Sequence, residues 1–358
     1  MWAAARPRPD LEVVAEAATT ADLAQVLEVA RLQRVGPLVL RALEAAGVPL
    51  PDGDPARREA AFRRGQELVS LPLLVERALV PLESAGLRPL LYKGGGLVGR
   101  YPEPGLRPMD DVDVLLPSEQ VADAVSVLQR AGWRIGAHSA TLPELEDEYD
   151  IPLVHPETGG LPLELHHKLH RDRQRTNELD AAGLWAERIP ASVCGHPAWG
   201  MPPELELLAL VTHAAKPFHV FSRLIWAVDL VVVIEHAEID WDDVSSRAEA
   251  SRCRNALAVG LSFARRLGAS VPDHLLELRG LARGRNVVGP VLDPTWPFIV
   301  QTRNRRGFAL ALVDDRRARA RLMIDQLGGR PGQRSRGRAA RAMVAASART
   351  LGRMVRGR

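Results

Sequence analysis

Residues 87–116 read LRPLLYKGGGLVGRYPEPGLRPMDDVDVLL. Leu87, Leu90, Leu91 and Tyr92 form a short apolar run that ends in Lys93-Gly94-Gly95-Gly96, the pattern of a buried strand turning sharply into a helix. Glycines at such a turn let the backbone approach a ligand, and the first N–H groups of a helix over Leu97–Arg100 would face an anion such as phosphate. Pro102, Pro104, Gly105 and Pro108 then make a loop that leads to Asp110-Asp111-Val112-Asp113-Val114-Leu115-Leu116, a second strand. Side chains alternate along a strand, so Asp111 and Asp113 share one face while Val112, Val114 and Leu116 point into a core. Two carboxylates on one face repel unless a cation sits between them. Hard oxygen ligands of this kind suit Mg2+ or Mn2+, ions that share their coordination with substrate phosphates. A glycine turn beside such a pair indicates metal-assisted phosphoryl or nucleotidyl chemistry.

Several of these residues also carry a resemblance. Lys93-Gly94 followed by Leu97, Tyr101-Pro102, Gly105-Leu106-Arg107-Pro108-Met109 and Asp111-Val112-Asp113-Val114-Leu115 resemble the signature of an uncharacterised nucleotidyltransferase family within the DNA polymerase beta-like superfamily. Order and spacing make the likeness specific, whereas a lone Asp-x-Asp would not be. The sequence departs from the superfamily's commoner Gly-Ser or Gly-Gly turn, because Lys93 precedes Gly94 and a third glycine follows.

Further along, Ile151–His155, a Pro-Glu-Thr-Gly-Gly turn and Leu161–His167 read as a β-hairpin. Alternation sets Leu161, Leu163 and Leu165 on one face and Glu164 with His166 on the other. An apolar strand ending in Glu-Leu-His resembles the family's third-carboxylate strand, which lies beside the Asp-x-Asp strand, so Glu164 is the expected third acid. Leu205–Ala215, Ile225–Leu230 and Asp240-Trp241-Asp242 resemble the family's helical C-terminal part, and the likeness covers roughly residues 20–285.

The remaining sequence frames this centre. Residues 11–86 read as helices, with Asp22 opening one, Gly36-Pro37 breaking it, and a longer helix from Pro55 punctuated by Pro72 and Pro81. Pro117-Ser118-Glu119 starts a helix with Val121, Val125 and Leu128 on its buried stripe, and Trp133–Ile135 suits a short strand. The acids Glu144, Glu146, Asp147, Glu148 and Asp150 read as a solvated turn, and residues 168–200 as a polar linker. Helices follow from Pro202. The expected architecture is α+β: a small mixed-sheet nucleotidyltransferase module at 87–200, a helical region at 1–86, another at 201–300, and an Arg-rich tail at 301–358.

Composition narrows the class. Only Cys194 and Cys253 occur, without a Cys-x-x-Cys pair, so neither a disulfide framework nor a structural zinc site is indicated. No signal peptide or membrane segment is legible, the apolar run Leu224–Ile234 being short and interrupted by Asp229. A cytoplasmic protein is expected. From Arg316 onward thirteen arginines face one acid, which puts +12 in the tail and leaves −9 on residues 1–315 of a chain whose net charge is +3. Nucleic acid therefore has a plausible foothold only on the tail, where Arg338–Arg356 suits a basic amphipathic helix.

The expected site follows. Asp111, Asp113 and Glu164 hold Mg2+ or Mn2+ against a nucleoside triphosphate, with Glu164 as a further ligand or as proton acceptor. Gly94 and Gly95 cradle phosphates. Lys93 and Arg107 neutralise developing charge, unless Arg107 is spent on Asp110. His166, on the face of Glu164, is a substrate or ligand-supporting residue, and His213, Lys216 and His219 lie near a helix end. The superfamily resemblance implies in-line attack of an acceptor hydroxyl on the α-phosphate. Two other readings compete: a degenerate, non-catalytic nucleotide-binding or regulatory protein, and a glycosyltransferase using Asp-x-Asp, which would need alternating strands and helices before residue 87.

Overall fold

A computed structural model of the chain describes residues 1–50, 55–136, 149–170, 175–279 and 302–328. It is α+β, with one open mixed sheet of seven strands.

The N-terminal helices α1 (Leu11–Ala18), α2 (Leu23–Leu32) and α3 (Gly36–Ala45) begin where capping chemistry allows. Asp10 and Asp22 accept N–H groups of the first turns of α1 and α2, and Pro37 lies in the first turn of α3. The helix from Pro55 does not stop at its prolines. It runs as α4 (Pro55–Gly65), α5 (Leu71–Leu74) and α6 (Val80–Ser84), joined by two widened turns, Gln66–Ser70 and Val75–Leu79. Leu71 and Val80 donate five residues back, to Gln66 and Val75. Each widened turn immediately precedes the turn that holds Pro72 or Pro81, where a proline ring would otherwise strike the carbonyl four residues earlier. Pro81 leaves the Arg77 carbonyl without its helical donor, and the indole N–H of Trp133 supplies one at 2.8 Å.

The sheet runs β3 (Arg134–Ile135), β4 (Asp150–Val154), β5 (Leu163–His166), β2 (Val112–Leu115), β1 (Leu90–Leu91), β7 (His196–Gly200), β6 (Ile189–Val193). At its centre β2 pairs parallel with β5, Asp113 opposite Glu164 and Leu115 opposite His166. Strand β1 pairs antiparallel with β2, and β4 antiparallel with β5. Leu91, Val112, Val114, Leu163 and Leu165 turn to one face and are buried with α5, α6 and α7 (Val121–Arg130). Leu90, Tyr92 and Leu115 turn to the other, joining a larger core built from α1–α3 and the C-terminal helices α9 (Pro203–Ala214), α10 (Ile225–His236), α11 (Trp241–Ala250) and α12 (Arg254–Arg266). Asp113, Glu164 and His166 share this second face.

Two expectations change. Residues 168–200 are not simply a linker: after a short helix α8 (Ala181–Ala186), β6 and β7 form a hairpin that extends the sheet from β1. Its two-residue turn, Cys194-Gly195, has φ of 49° and 76°. Positive φ at both central residues matches the twist of a hairpin, but Cys-Gly lacks the Asn-Gly or Asp-Gly composition that announces such a turn. Nor does an α-helix begin at Leu97. Lys93–Leu97 is a single 3-10 turn, and the chain continues in turns to Pro108.

The helices α13 (Thr302–Leu312) and α14 (Arg316–Gly328) close the described chain. The expected basic helix at 338–356 and the acids Glu144, Glu146, Asp147 and Glu148 lie outside the described residues; Asp150 opens β4. Among the described residues no helix is long and apolar enough to cross a membrane.

Candidate active site

The acids come together because β2 and β5 are neighbours in register. Asp113 is 4% exposed, and its Oδ1 accepts from Lys93 Nζ at 2.5 Å and lies 2.7 Å from His166 Nε2. Glu164 Oε2 is 3.5 Å from the same imidazole nitrogen. One ligand atom each from Asp113, Glu164 and His166 lie within 4.8 Å of one another, a group that can hold a metal ion. Asp111 is outside that group but lines the same cavity, whose volume is about 240 Å3. So do Lys93, Arg107, Asp113 and Glu164, whereas Gly94 and Gly95 are buried beneath it.

Two carboxylates on adjacent, rigid strands suit a hard divalent cation, and the imidazole beside them is a donor that softer divalent ions favour. The Lys93 ammonium is itself a cation lodged in this cluster. Lys93 reaches it through a backbone φ of 46°, in the left-handed region that side chains other than glycine avoid. Burial alone would push this ammonium toward neutrality, but the charge of Asp113 outweighs it and raises the pKa. Burial likewise opposes ionisation of Asp113, and Lys93 with His166 overcomes it, holding the carboxyl far below the usual range. Among the described residues Asp111 has no hydrogen-bonded cation, and the charge of Lys93 only partly offsets the burial and like charges that raise its pKa. Burial first, then the charges of Asp113 and Glu164, push it up to about 7.

Each glycine of the triplet has a different neighbour. A Cβ on Gly94 would lie 2.3 Å from Arg107 Nη1, one on Gly95 3.0 Å from the Asp113 carbonyl oxygen, and one on Gly96 2.9 Å from Glu206 Oε1. The turn therefore lacks side chains because protein groups press on it from three sides, a constraint that accounts for the third glycine.

Arg107 does not pair with Asp110. Its Nε and Nη2 donate to Asp229 Oδ1 and Oδ2 at 2.8 and 2.9 Å. Tyr101 donates to the same fully buried carboxylate at 2.7 Å. Asp110 pairs instead with Arg34 and Arg63. Arg34 is presented by a left-handed residue between α2 and α3 (φ 61°). The preceding Gln33 is buried and caps the segment entering α10, accepting from Leu224 N–H through its side chain and Ile225 N–H through its carbonyl. The N-terminal helices thus fix one wall of the cavity.

Asp229, Arg34, Tyr149, Asp150, Arg223 and Trp226 also line it and were not singled out from the sequence. One signal was available: Asp229 stands alone in the apolar run Leu224–Ile234, and a lone acid on a buried helix face requires a cationic partner. His213 and His219 reach the cavity rather than serving only to complement a helix end.

The model of the family described as uncharacterised nucleotidyltransferase matches residues 19–269, more than half of the chain. The chain belongs to that family. No curated protein and no solved structure matches it. The family match spans α2 to α12, and so contains every residue of the cavity named above.

Proposed function

We propose that the protein is a metal-dependent nucleotidyltransferase that moves a nucleoside monophosphate from a nucleoside triphosphate to a hydroxyl acceptor. The observation that carries this reading is the register pairing of Asp113 with Glu164 on parallel central strands, opening into a polar cavity. Asp113 and Glu164, joined by Asp111 when it ionises, are the residues to hold Mg2+ or Mn2+, with His166 as a further donor. The bound ion would supply charge neutralisation for the triphosphate. Lys93, Arg107 and Arg34 add positive charge on the same cavity. Gly94 and Gly95 contribute by admitting Arg107 and the β2 backbone close to the turn. Glu164, a quarter exposed, is placed to accept the proton of an attacking hydroxyl. Likeness to the DNA polymerase beta-like superfamily supports in-line attack at the α-phosphate.

One feature supports a second reading. An ammonium already neutralises Asp113, an arrangement that also suits a protein that binds nucleotide without turning it over. The two part in one experiment. Pyrophosphate release from each of the four nucleoside triphosphates, with Mg2+ or Mn2+ and a panel of hydroxyl acceptors, is measured for the native chain and for Asp113→Asn and Glu164→Gln. Turnover that each substitution lowers by at least about a hundredfold supports transfer. Metal-dependent binding without release under any condition supports the non-catalytic reading. Activity untouched by Asp113→Asn removes the site.

A further inference from the structure

Part of the cavity lining is aromatic. His213 ends α9, Trp226 begins α10, and His219 lies in the connection between them. The His219 ring centroid is 4.6 Å from that of His213 and 4.8 Å from that of Trp226, and the exposed Arg223 guanidinium lies 5.6 Å from the centre of the Trp226 ring. All four line the cavity.

The connection is held in an unusual shape. Val220 and Phe221 are consecutive residues with φ of 44° and 52°, a conformation costly for any side chain and most of all for a β-branched one. Both are buried, and Phe221 packs on Phe263 of α12. Their N–H groups donate to the carbonyls of Lys216 and Ala214. The core therefore imposes this turn, and the turn sets His219 between the other two rings.

Burial, reinforced by Lys93 and Lys216, lowers the pKa of His213 well below its ordinary value. Burial also lowers His219 to about 4, against the opposing pull of the His213 carbonyl. The wall is thus uncharged near neutral pH. His219 Nδ1–H donates to the His213 carbonyl at 2.9 Å, so its Nε2 is left as an acceptor. His213 Nδ1 is buried and has no hydrogen-bond partner among the described residues. Flat, neutral rings with the His219 Nε2 acceptor offer a stacking face and an edge hydrogen bond together, the combination that recognises a heteroaromatic base.

We infer that the His213–His219–Trp226 wall is the base-reading part of this cavity and takes the planar base of a nucleoside triphosphate. The inference rests on the nucleotidyl-transfer reading and adds which part of the donor is recognised, and by what. Equilibrium binding of the full chain in Mg2+ tests it, with ATP, GTP, CTP and UTP compared with inorganic tripolyphosphate, the same anion without base or sugar. Native protein, Trp226→Leu and Trp226→Phe are measured side by side, with thermal unfolding to establish that each variant is folded. At least one nucleotide is expected to bind about tenfold or more tighter than tripolyphosphate, the size of one stacked base. That preference should vanish in Trp226→Leu and largely survive in Trp226→Phe, while tripolyphosphate binding stays unchanged in both. Tripolyphosphate binding as tightly as every nucleotide, or a preference that persists in Trp226→Leu, overturns this inference and leaves the nucleotidyl-transfer reading standing. Failure of all five probes to bind removes both.

Discussion

Replacing Lys93 with methionine keeps the length of the side chain and removes the cation that balances Asp113. The carboxylate is 4% exposed and its Oδ1 receives both the ammonium at 2.5 Å and the His166 ring nitrogen at 2.7 Å. Removing one partner of a buried pair costs about 3–5 kcal/mol, because the other charge is left desolvated and unmatched. Here His166 remains and the cavity admits water, so about 2–4 kcal/mol is expected, with Glu164 and Asp111 adding repulsion. In a chain of 358 residues that lowers Tm by roughly 3–5 °C. A divalent cation can take over the balancing role, so Mg2+ should restore the variant, by about 2.7 kcal/mol at a hundred times its Kd. Native protein gains less, since there the ion must displace the ammonium. Differential scanning calorimetry in EDTA and over a Mg2+ series reads both effects. Asp113→Asn combined with Lys93→Met should lose less than the two single losses together, by about 1 kcal/mol or more, because the pair is coupled. A Lys93→Met variant as stable as the native chain in EDTA, or one that Mg2+ stabilises no more than native, would refute the reasoning.

Other expectations follow from contacts. Gly94→Ala sets a methyl against the guanidinium held by Asp229, so a loss of about 1–3 kcal/mol in urea unfolding is expected; an unchanged midpoint would mean that Arg107 can step aside. Arg107→Lys cannot reproduce two parallel bonds to the buried Asp229 carboxylate and should cost about 3 kcal/mol by the same measurement. Trp133→Phe removes the indole donor to the Arg77 carbonyl and should cost about 1–3 kcal/mol, visible in thermal unfolding. Lys216 carries the pH test: burial, then Lys93, lowers its pKa to about 7, more than the nearby acids can offset. Below that pH the folded chain bears the full penalty of a buried ammonium; between about 7 and 10.4 the unfolded chain binds more protons, so stability rises with pH. Lys216→Met should therefore stabilise most at pH 6, by about 1–3 kcal/mol after allowance for its partial exposure, and the gain should shrink as pH rises toward 10. A gain independent of pH would show that packing, not charge, is responsible.

The alternation of Asp111, Asp113, Glu164 and His166 was legible because a strand's period of two is a local property. Pairing Asp113 with Glu164 needed only the resemblance in addition. The β6–β7 hairpin escaped notice because its turn is Cys-Gly and its strands carry weak alternation on a partly exposed edge. The glycine triplet reads from the sequence as a close approach, and the structure shows which protein groups make one. Its partners Arg107, the β2 backbone and Glu206 belong to other segments, and nothing in Gly-Gly-Gly distinguishes a phosphate from a guanidinium.

From its own letters the chain determined an α+β class, the order of its helices around a short central sheet, and two strands whose acids face one way. These follow from periodicity, capping and breakers, interactions that act over a few residues. Tertiary structure alone decided which charge meets which: Lys93 with Asp113, Arg107 with Asp229, Arg34 with Asp110, and a histidine–tryptophan wall brought into the cavity of the carboxylates by a strained turn. Buried charges must find partners wherever packing has placed them, and packing joins residues 122 positions apart as readily as neighbours.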